Sequence, residues 1–311
     1  MSIMASNNVN LFGYHKFFLK LKNLHDSSLL PNKIIFEGNN GIGKSTFVYH
    51  FINYIFSKNE DYKYNFKDNK ISEKNISYNL LIKNSHPNLF IISNDDEKNI
   101  SQINKVREMI NFTNKSSFNN NYKIVLIDNI ELLSINSINA LLKVIEEPNS
   151  NLYFFLIHNS NVKILNTLNS RCIKFRMFLS SSEKFKVIEN LINNDFYSNL
   201  NIDFKSSYDT PGQILNLQTF FKEENINENI SIEEFLNFII KKSLYKKNSF
   251  VKKNLPNFIE LYFNKKINFL KSKDKIYYYY KYFLLKLNES NKYNLDIDSI
   301  LIEFKTKFIN G

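Results

Sequence analysis

A chain of 311 residues with 43% hydrophobic content is long enough for two or three domains and a sizeable buried core. One cysteine, Cys172, excludes an internal disulfide and a cysteine zinc cluster; the apolar runs are too short for a membrane helix, and Met1 to Asn7 shows no secretion signal, so a cytoplasmic protein is expected. The net charge of +11 favours acidic partners such as nucleic acid, but Lys, Asn, Ile, Phe and Tyr dominate everywhere, so the charge follows composition and the rare Arg, Gly and Pro are the informative residues.

In chain order, Phe17, Phe18, Leu21 and Leu24 form one amphipathic stretch before Pro31. Lys33-Ile34-Ile35-Phe36 reads as a short buried strand. Glu37 is followed by Gly38-Asn39-Asn40-Gly41-Ile42-Gly43-Lys44-Ser45-Thr46, which fits the phosphate-binding pattern G-x-x-x-x-G-K-[ST] without a mismatch. Phe47, Val48, Phe51, Ile52 and Ile55 then fall at helical spacing, completing the strand–loop–helix context the motif needs. Glycines let backbone N–H groups converge on phosphate oxygens, and the helix N-terminus adds a favourable dipole. Lys44 is expected to reach the outer phosphates and the Ser45 hydroxyl to ligate Mg²⁺. The chain has only six glycines, and Gly38, Gly41 and Gly43 are half of them. A tight turn that binds nothing is the bland alternative.

Residues 57–84 are polar, Asn/Lys-rich and patternless, and read as a surface insertion ended by His86-Pro87. Leu89 to Ile92 reads as a second strand, followed by Ile100, Ile103, Val106, Met109 and Ile110 at helical spacing. Lys123 to Ile127 is an apolar strand ending in Asp128, where a carboxylate downstream of a phosphate loop would hold Mg²⁺. The next residue is Asn129, an amide that cannot take a proton from water. Glu131 falls on the opposite strand parity or in a turn. Ser134 opens a helix with Ile135, Ile138, Leu141, Leu142 and Ile145 on one face, stopped by Pro148. Leu152 to Ile157 is a strand, Val162 to Leu168 a short helix and Ile173 to Phe175 a last strand. Alternating strands and helices imply a parallel sheet covered on both faces, in a domain of residues 1–178. Ser180-Ser181-Ser182-Glu183 offers a capping box opening a small helical region, 179–220, in which Thr210-Pro211-Gly212 reads as a turn between helices. In residues 221–311 three amphipathic helices are expected, around Phe235 to Ile240, Leu255 to Phe263 and Ile276 to Leu287. The tyrosines 277–280 read as helix packing with exposed hydroxyls, and the tail lysines as a solvated face.

These residues carry a resemblance. His86-Pro87-Asn88-Leu89, Ile127-Asp128-Asn129, Asn139-Ala140-Leu141-Leu142-Lys143-Val144-Ile145-Glu146-Glu147-Pro148 and Ser170-Arg171-Cys172 resemble the bacterial clamp-loader ATPase family, in order and spacing, from about Asn10 to Leu215. The resemblance implies an α/β P-loop NTPase domain of the AAA+ kind with a parallel sheet, then a small helical lid and an all-α collar that oligomerises. It implies ATP with Mg²⁺ as cofactor. Its partners would be gamma/tau-type and delta-type subunits in a hetero-pentamer, which places a sliding clamp on primed DNA. Tyr208-Asp209-Thr210-Pro211-Gly212-Gln213 resembles the Gly-Ser-Pro-Gly-Arg-Ala-Leu segment of the family's delta-prime branch. Gln213 stands where the second nucleotide-sensing arginine is expected, and Asn159 matches the first sensor. The family's Ser-Arg-Cys arginine, here Arg171, points into a neighbouring subunit's ATP. Where many relatives carry a zinc module, this chain has the Asn/Lys-rich stretch, so no zinc is implied. Asn129 and Gln213 suggest binding with weak hydrolysis. The rival readings are an active gamma/tau-type ATPase and a DNA-binding module with a vestigial loop.

Overall fold

The computed structural model describes residues 8–93, 102–118, 122–146, 151–192, 194–205, 210–269, 273–293 and 296–309. They divide into two compact units, Met1–Asn190 with Thr210–Gly212 and Leu191–Asp209 with Gln213–Gly311.

The first unit is built on five parallel strands, β1 (Lys33–Gly38), β2 (Leu89–Ile92), β3 (Lys123–Ile127), β4 (Leu152–Asn159) and β5 (Ile173–Arg176), in the order β2-β3-β4-β1-β5. The period of two along each strand sorts side chains into two cores. Ile34, Phe36, Phe155 and Ile157 face one side, with α1 (His15–Asp26) and α2 (Lys44–Phe56) packed over them. Ile35, Val125, Ile127 and Leu156 face the other, covered by α4 (Gln102–Asn114) and α5 (Ile135–Glu146). Both faces are dry, which is why β3 and β4 read as unbroken apolar runs. Parallel pairing carries every strand's C-terminal end to the same edge, and β1 pairs β4 in register so that Gly38 lies beside Asn159.

Residues 57–84 are not a surface insertion. Tyr64, Ile71, Tyr78 and Leu81 are buried in the first core, and α3 (Ile76–Ile82) is capped by Asn75, whose side chain accepts from the Tyr78 N–H. Tyr64 and Ile71 come from separate irregular stretches, and Tyr78 and Leu81 share only the two turns of α3, so no sustained period of two or 3.6 runs through the segment. The helix expected over 162–168 is a single turn, α6 (Asn166–Asn169). The capping box at Ser180 forms: the Ser180 N–H donates to Glu183 Oε2 at 2.9 Å and opens α7 (Ser181–Leu191). Ile100, Glu147, Pro148, Tyr208, Asp209 and Lys271 lie outside the described residues.

The second unit is helical: α8 (Asn194–Asn199), α9 (Ile202–Lys205), α10 (Pro211–Glu223), α11 (Ile232–Lys241), α12 (Leu244–Lys247), α13 (Ser249–Phe269), α14 (Lys273–Tyr293) and α15 (Ile297–Phe304). Pro211-Gly212 opens α10 rather than turning between helices, as suits proline's fixed φ and missing N–H at a first helical position. Among the described residues α12 and α15 add to the three helices expected; Ser243 takes a left-handed φ of 52° and separates α12 from α11. Edge-on aromatic contacts hold the helices together: Phe235 meets Phe258 at 5.0 Å and Phe204 at 5.1 Å, and Phe283 meets Phe304 at 5.3 Å.

Candidate nucleotide site

Gly38 ends β1, Asn39 to Gly43 form the loop, and Lys44, Ser45 and Thr46 make the first turn of α2. Gly43 has φ 90°, a conformation that costs most side chains dearly, and it lets the loop turn directly into the helix. Lys44 is buried, and its Nζ donates to two carbonyls of its own loop, Gly38 O and Asn39 O, both at 2.8 Å. Burial pushes its pKa from 10.5 down to about 8, against the opposing pull of Glu131 and then Asp128. Both contacts are to the loop itself, so the ammonium sits at the mouth of the loop where oxygens of a bound anion could replace them.

Asp128 follows β3, and its N–H donates to Ile92 O at 2.9 Å. The Ser45 hydroxyl donates to Asp128 Oδ2 at 2.9 Å, across 83 residues of sequence. Asp128 Oδ1 is buried without a hydrogen-bond partner among the described residues. Burial raises the Asp128 pKa, opposed first by the Ser45 hydrogen bond and then by the Lys44 charge. A hydroxyl and a carboxylate with one unsatisfied oxygen are the hard oxygen donors that Mg²⁺ takes, so the residues present fit that ion. Ser45 and Asp128 would hold it, and it would draw together the charges of two phosphates.

Asn129 has a left-handed backbone, φ 57° and ψ 62°. Asn enters this region more readily than other residues that carry a Cβ. The bend starts a short 3₁₀ turn, Ile130–Leu132, which settles the position of Glu131: it lies in the turn, not on the strand. There Glu131 Oε2 accepts the backbone N–H of Asn159 at 3.2 Å, and its charge acts on both Lys44 and Asp128. Asn159 Oδ1 accepts from the Asn161 N–H at 3.2 Å. Next to it, the Ser160 hydroxyl donates to Asn39 Oδ1 at 2.7 Å, fastening the loop to the end of β4. Sequence reasoning favoured Asn159 over its neighbour Ser160 and left Glu131 between strand and turn, because the contacts of both are made across the sheet edge.

A cleft of about 460 Å³ opens beside the loop, between Gly38, Asn39 and Ile42 and the segment Met177 to Leu179. Its floor is apolar and its rim carries Glu37, Arg176 and Lys184. Gly38 is closely packed here, since a Cβ would lie 2.6 Å from Met177 O. Arg171 lies apart from this cluster. Its guanidinium is tied to Glu146 at the end of α5, Nε to Oε1 at 2.9 Å and Nη2 to Oε1 at 2.7 Å, and Nη1 donates to Thr167 O at 3.0 Å. The expectation that Arg171 projects freely meets this contact within the chain.

A parallel sheet ordered β2-β3-β4-β1-β5, with a phosphate-binding loop leaving β1 and a carboxylate leaving β3, defines a P-loop nucleotide-binding domain of the AAA+ class. The profile of the family described as "DNA polymerase III, delta subunit" matches residues 14–179, and the chain belongs to that family. It is 26% identical over 227 residues to the DNA polymerase III subunit delta' of Buchnera aphidicola subsp. Schizaphis graminum, covering 73% of this chain and 66% of that protein. It is 39% identical over 112 residues to the subunit delta' of Buchnera aphidicola subsp. Baizongia pistaciae, covering 34% and 33%. The chain thus spans less than two thirds of the length of these relatives. A gamma subunit of the former organism is 25% identical over 209 residues, 67% of this chain and 53% of that protein. Among solved structures, a gamma subunit-related protein from Thermotoga maritima aligns over 93% of this chain and 98% of its own, with 14% identity and a TM-score of 0.48.

Proposed function

We propose that the chain is a delta-prime-type clamp-loader subunit that binds ATP with Mg²⁺ through residues 38–46, Asp128 and Asn159 and turns it over weakly. By this reading the first 178 residues are the nucleotide domain, 179–220 a lid and 221–311 a collar joining gamma/tau-type and delta-type subunits in a cytoplasmic hetero-pentamer. That assembly would place a sliding clamp on primed DNA, with Arg171 reaching a neighbour's ATP. The observation that carries the reading is the Ser45–Asp128 pair beside Lys44, formed while the adjacent position holds a left-handed asparagine in place of a base. Among the described residues no helix is long and apolar enough to cross a membrane.

Equilibrium titration with a fluorescent ATP analogue tests binding, and steady-state turnover by the isolated chain tests the rest. Saturable binding lost in Lys44→Ala, with negligible hydrolysis, is the expected pair. Co-purification with gamma/tau-type and delta-type subunits tests the assembly. A second reading, an active gamma/tau-type ATPase, is favoured by one observation: Glu131 brings a carboxylate whose charge reaches both Lys44 and Asp128. Robust hydrolysis by the isolated chain, abolished in Glu131→Gln, would select it.

A further inference from the structure

Two consecutive carbonyls of the phosphate loop are held by groups that the loop motif does not contain. The Tyr14 hydroxyl donates to Ile42 O at 2.8 Å, across 28 residues. The Gly212 N–H donates to Gly41 O at 2.8 Å. In a planar trans peptide the C=O of one residue and the N–H of the next point in opposite directions. Fixing Gly41 O and Ile42 O therefore fixes the direction of the Ile42 and Gly43 N–H groups, two of the donors with which such a loop holds phosphate.

Both contacts are made under constraint. Tyr14 has a left-handed φ of 62°, unusual for a bulky aromatic, immediately after Gly13 at φ 77°. Side chains are rarely held this way unless the surroundings demand it. The surroundings are visible: the ring is buried, edge-on to Phe47 at 5.7 Å and to Phe17 at 6.0 Å. Phenylalanine would satisfy that packing equally, so the hydroxyl is explained by its bond to Ile42 O. Gly212 is constrained by space. A Cβ there would lie 2.8 Å from Gly41 O and 2.9 Å from Gly41 Cα, so among the residues only glycine permits this approach.

We infer that Tyr14 and Gly212 are positioning residues for the phosphate site, bracing the loop from opposite ends of the sequence so that its amides are aimed before a ligand arrives. The inference rests on the reading that this loop takes a nucleoside triphosphate, and part of its test does not. In the nucleotide-free full-length chain, Tyr14→Phe should speed hydrogen exchange at the Phe47 and Gly212 amides, which donate to the loop carbonyls Gly43 O and Gly41 O, by about threefold to tenfold, the worth of one net hydrogen bond. Protection in β3 and β4 should stay unchanged. Gly212→Ala should act on the Phe47 amide in the same way, and each variant should raise the dissociation constant of the fluorescent ATP analogue by a similar factor. In the double variant the loss should be smaller than the product of the two, because both act on one loop. Exchange that rises equally at these amides and in the strands would mean a purely structural role and overturn the inference, as would exchange at these amides and affinity unchanged in both variants. If the wild-type chain fails to bind nucleotide, the nucleotide reading falls, and the exchange comparison still decides for or against the brace.

Discussion

Raising the pH from 7 to 9 is expected to weaken ATP binding about tenfold through Lys44 alone. Burial lowers the Lys44 pKa to about 8, with the charges of Glu131 and Asp128 opposing it. The ammonium is then present in about nine chains in ten at pH 7 and about one in ten at pH 9. A triphosphate needs the ammonium, so binding above pH 8 must take up a proton, and the apparent affinity falls by the ratio of those fractions. A terminal phosphate loses its second proton near pH 6, so the ligand itself adds little across this window. Folding responds with the opposite sign. Between about pH 8 and pH 10.5 the unfolded lysine holds a proton that the folded one has lost, so stability of the nucleotide-free chain rises with pH there. Isothermal titration in buffers of different ionisation enthalpy reads the uptake directly. Lys44→Arg stays cationic throughout and should show neither the uptake nor the slope. A flat affinity from pH 7 to 9 without proton uptake in the wild type would refute the reasoning.

Asn129→Glu should not create robust hydrolysis, and it should lower the melting temperature, because glutamate in a left-handed backbone costs roughly 1–2 kcal/mol; Asn129→Gly should keep stability near the wild type, as thermal unfolding would show. Arg171→Ala should leave this chain's own nucleotide affinity intact and reduce ATP turnover of the assembled complex only in part, whereas Glu146→Gln, which releases the guanidinium, should not reduce it. Ser231→Ala removes a formed capping box, in which Ser231 accepts from and donates to Glu234, and should cost about 1 kcal/mol in denaturant unfolding.

The phosphate loop was legible because its chemistry dictates residue types at fixed spacing: small residues where the chain must turn, a cation and a hydroxyl where the helix begins. The sheet was legible for a similar reason, since a strand buried on both faces must be apolar through its middle, as Ile124 to Ile127 of β3 and Leu152 to Ile157 of β4 are. What escaped were contacts set by the tertiary fold. Nothing local marks Tyr14 as a partner of Ile42, or Glu131 as the acceptor for Asn159. The second pairing exists because parallel strands deliver their ends to one edge, and the first because the start of α1 packs against α2. Tyr64 and Ile71 escaped because isolated anchors on irregular backbone leave no period to read, and Tyr78 and Leu81 because α3 is too short to show one.

Lys44 and Ser45 in the site, and Arg171 apart from it, are held by partners that match them in chemistry. Lys44 rests on two carbonyls, Ser45 on Asp128, and Arg171 on Glu146. On the function proposed above, each contact would be exchanged for a better one before the group could serve a nucleotide. The Arg171–Glu146 pair is exposed and worth about 0.2–1 kcal/mol, a small barrier to release. Lys44 is different, because a buried ammonium is costly and its two carbonyl contacts only partly offset that cost. A ligand carrying several negative charges repays the exchange through Coulomb attraction inside a poorly solvated site, and a nucleoside without phosphates cannot. On the proposed function, selectivity for phosphorylated ligands would follow from burial of the lysine as much as from the shape of the loop. The same burial makes the free site sensitive to pH, so phosphate selectivity and the titration of Lys44 should be lost together in Lys44→Ala.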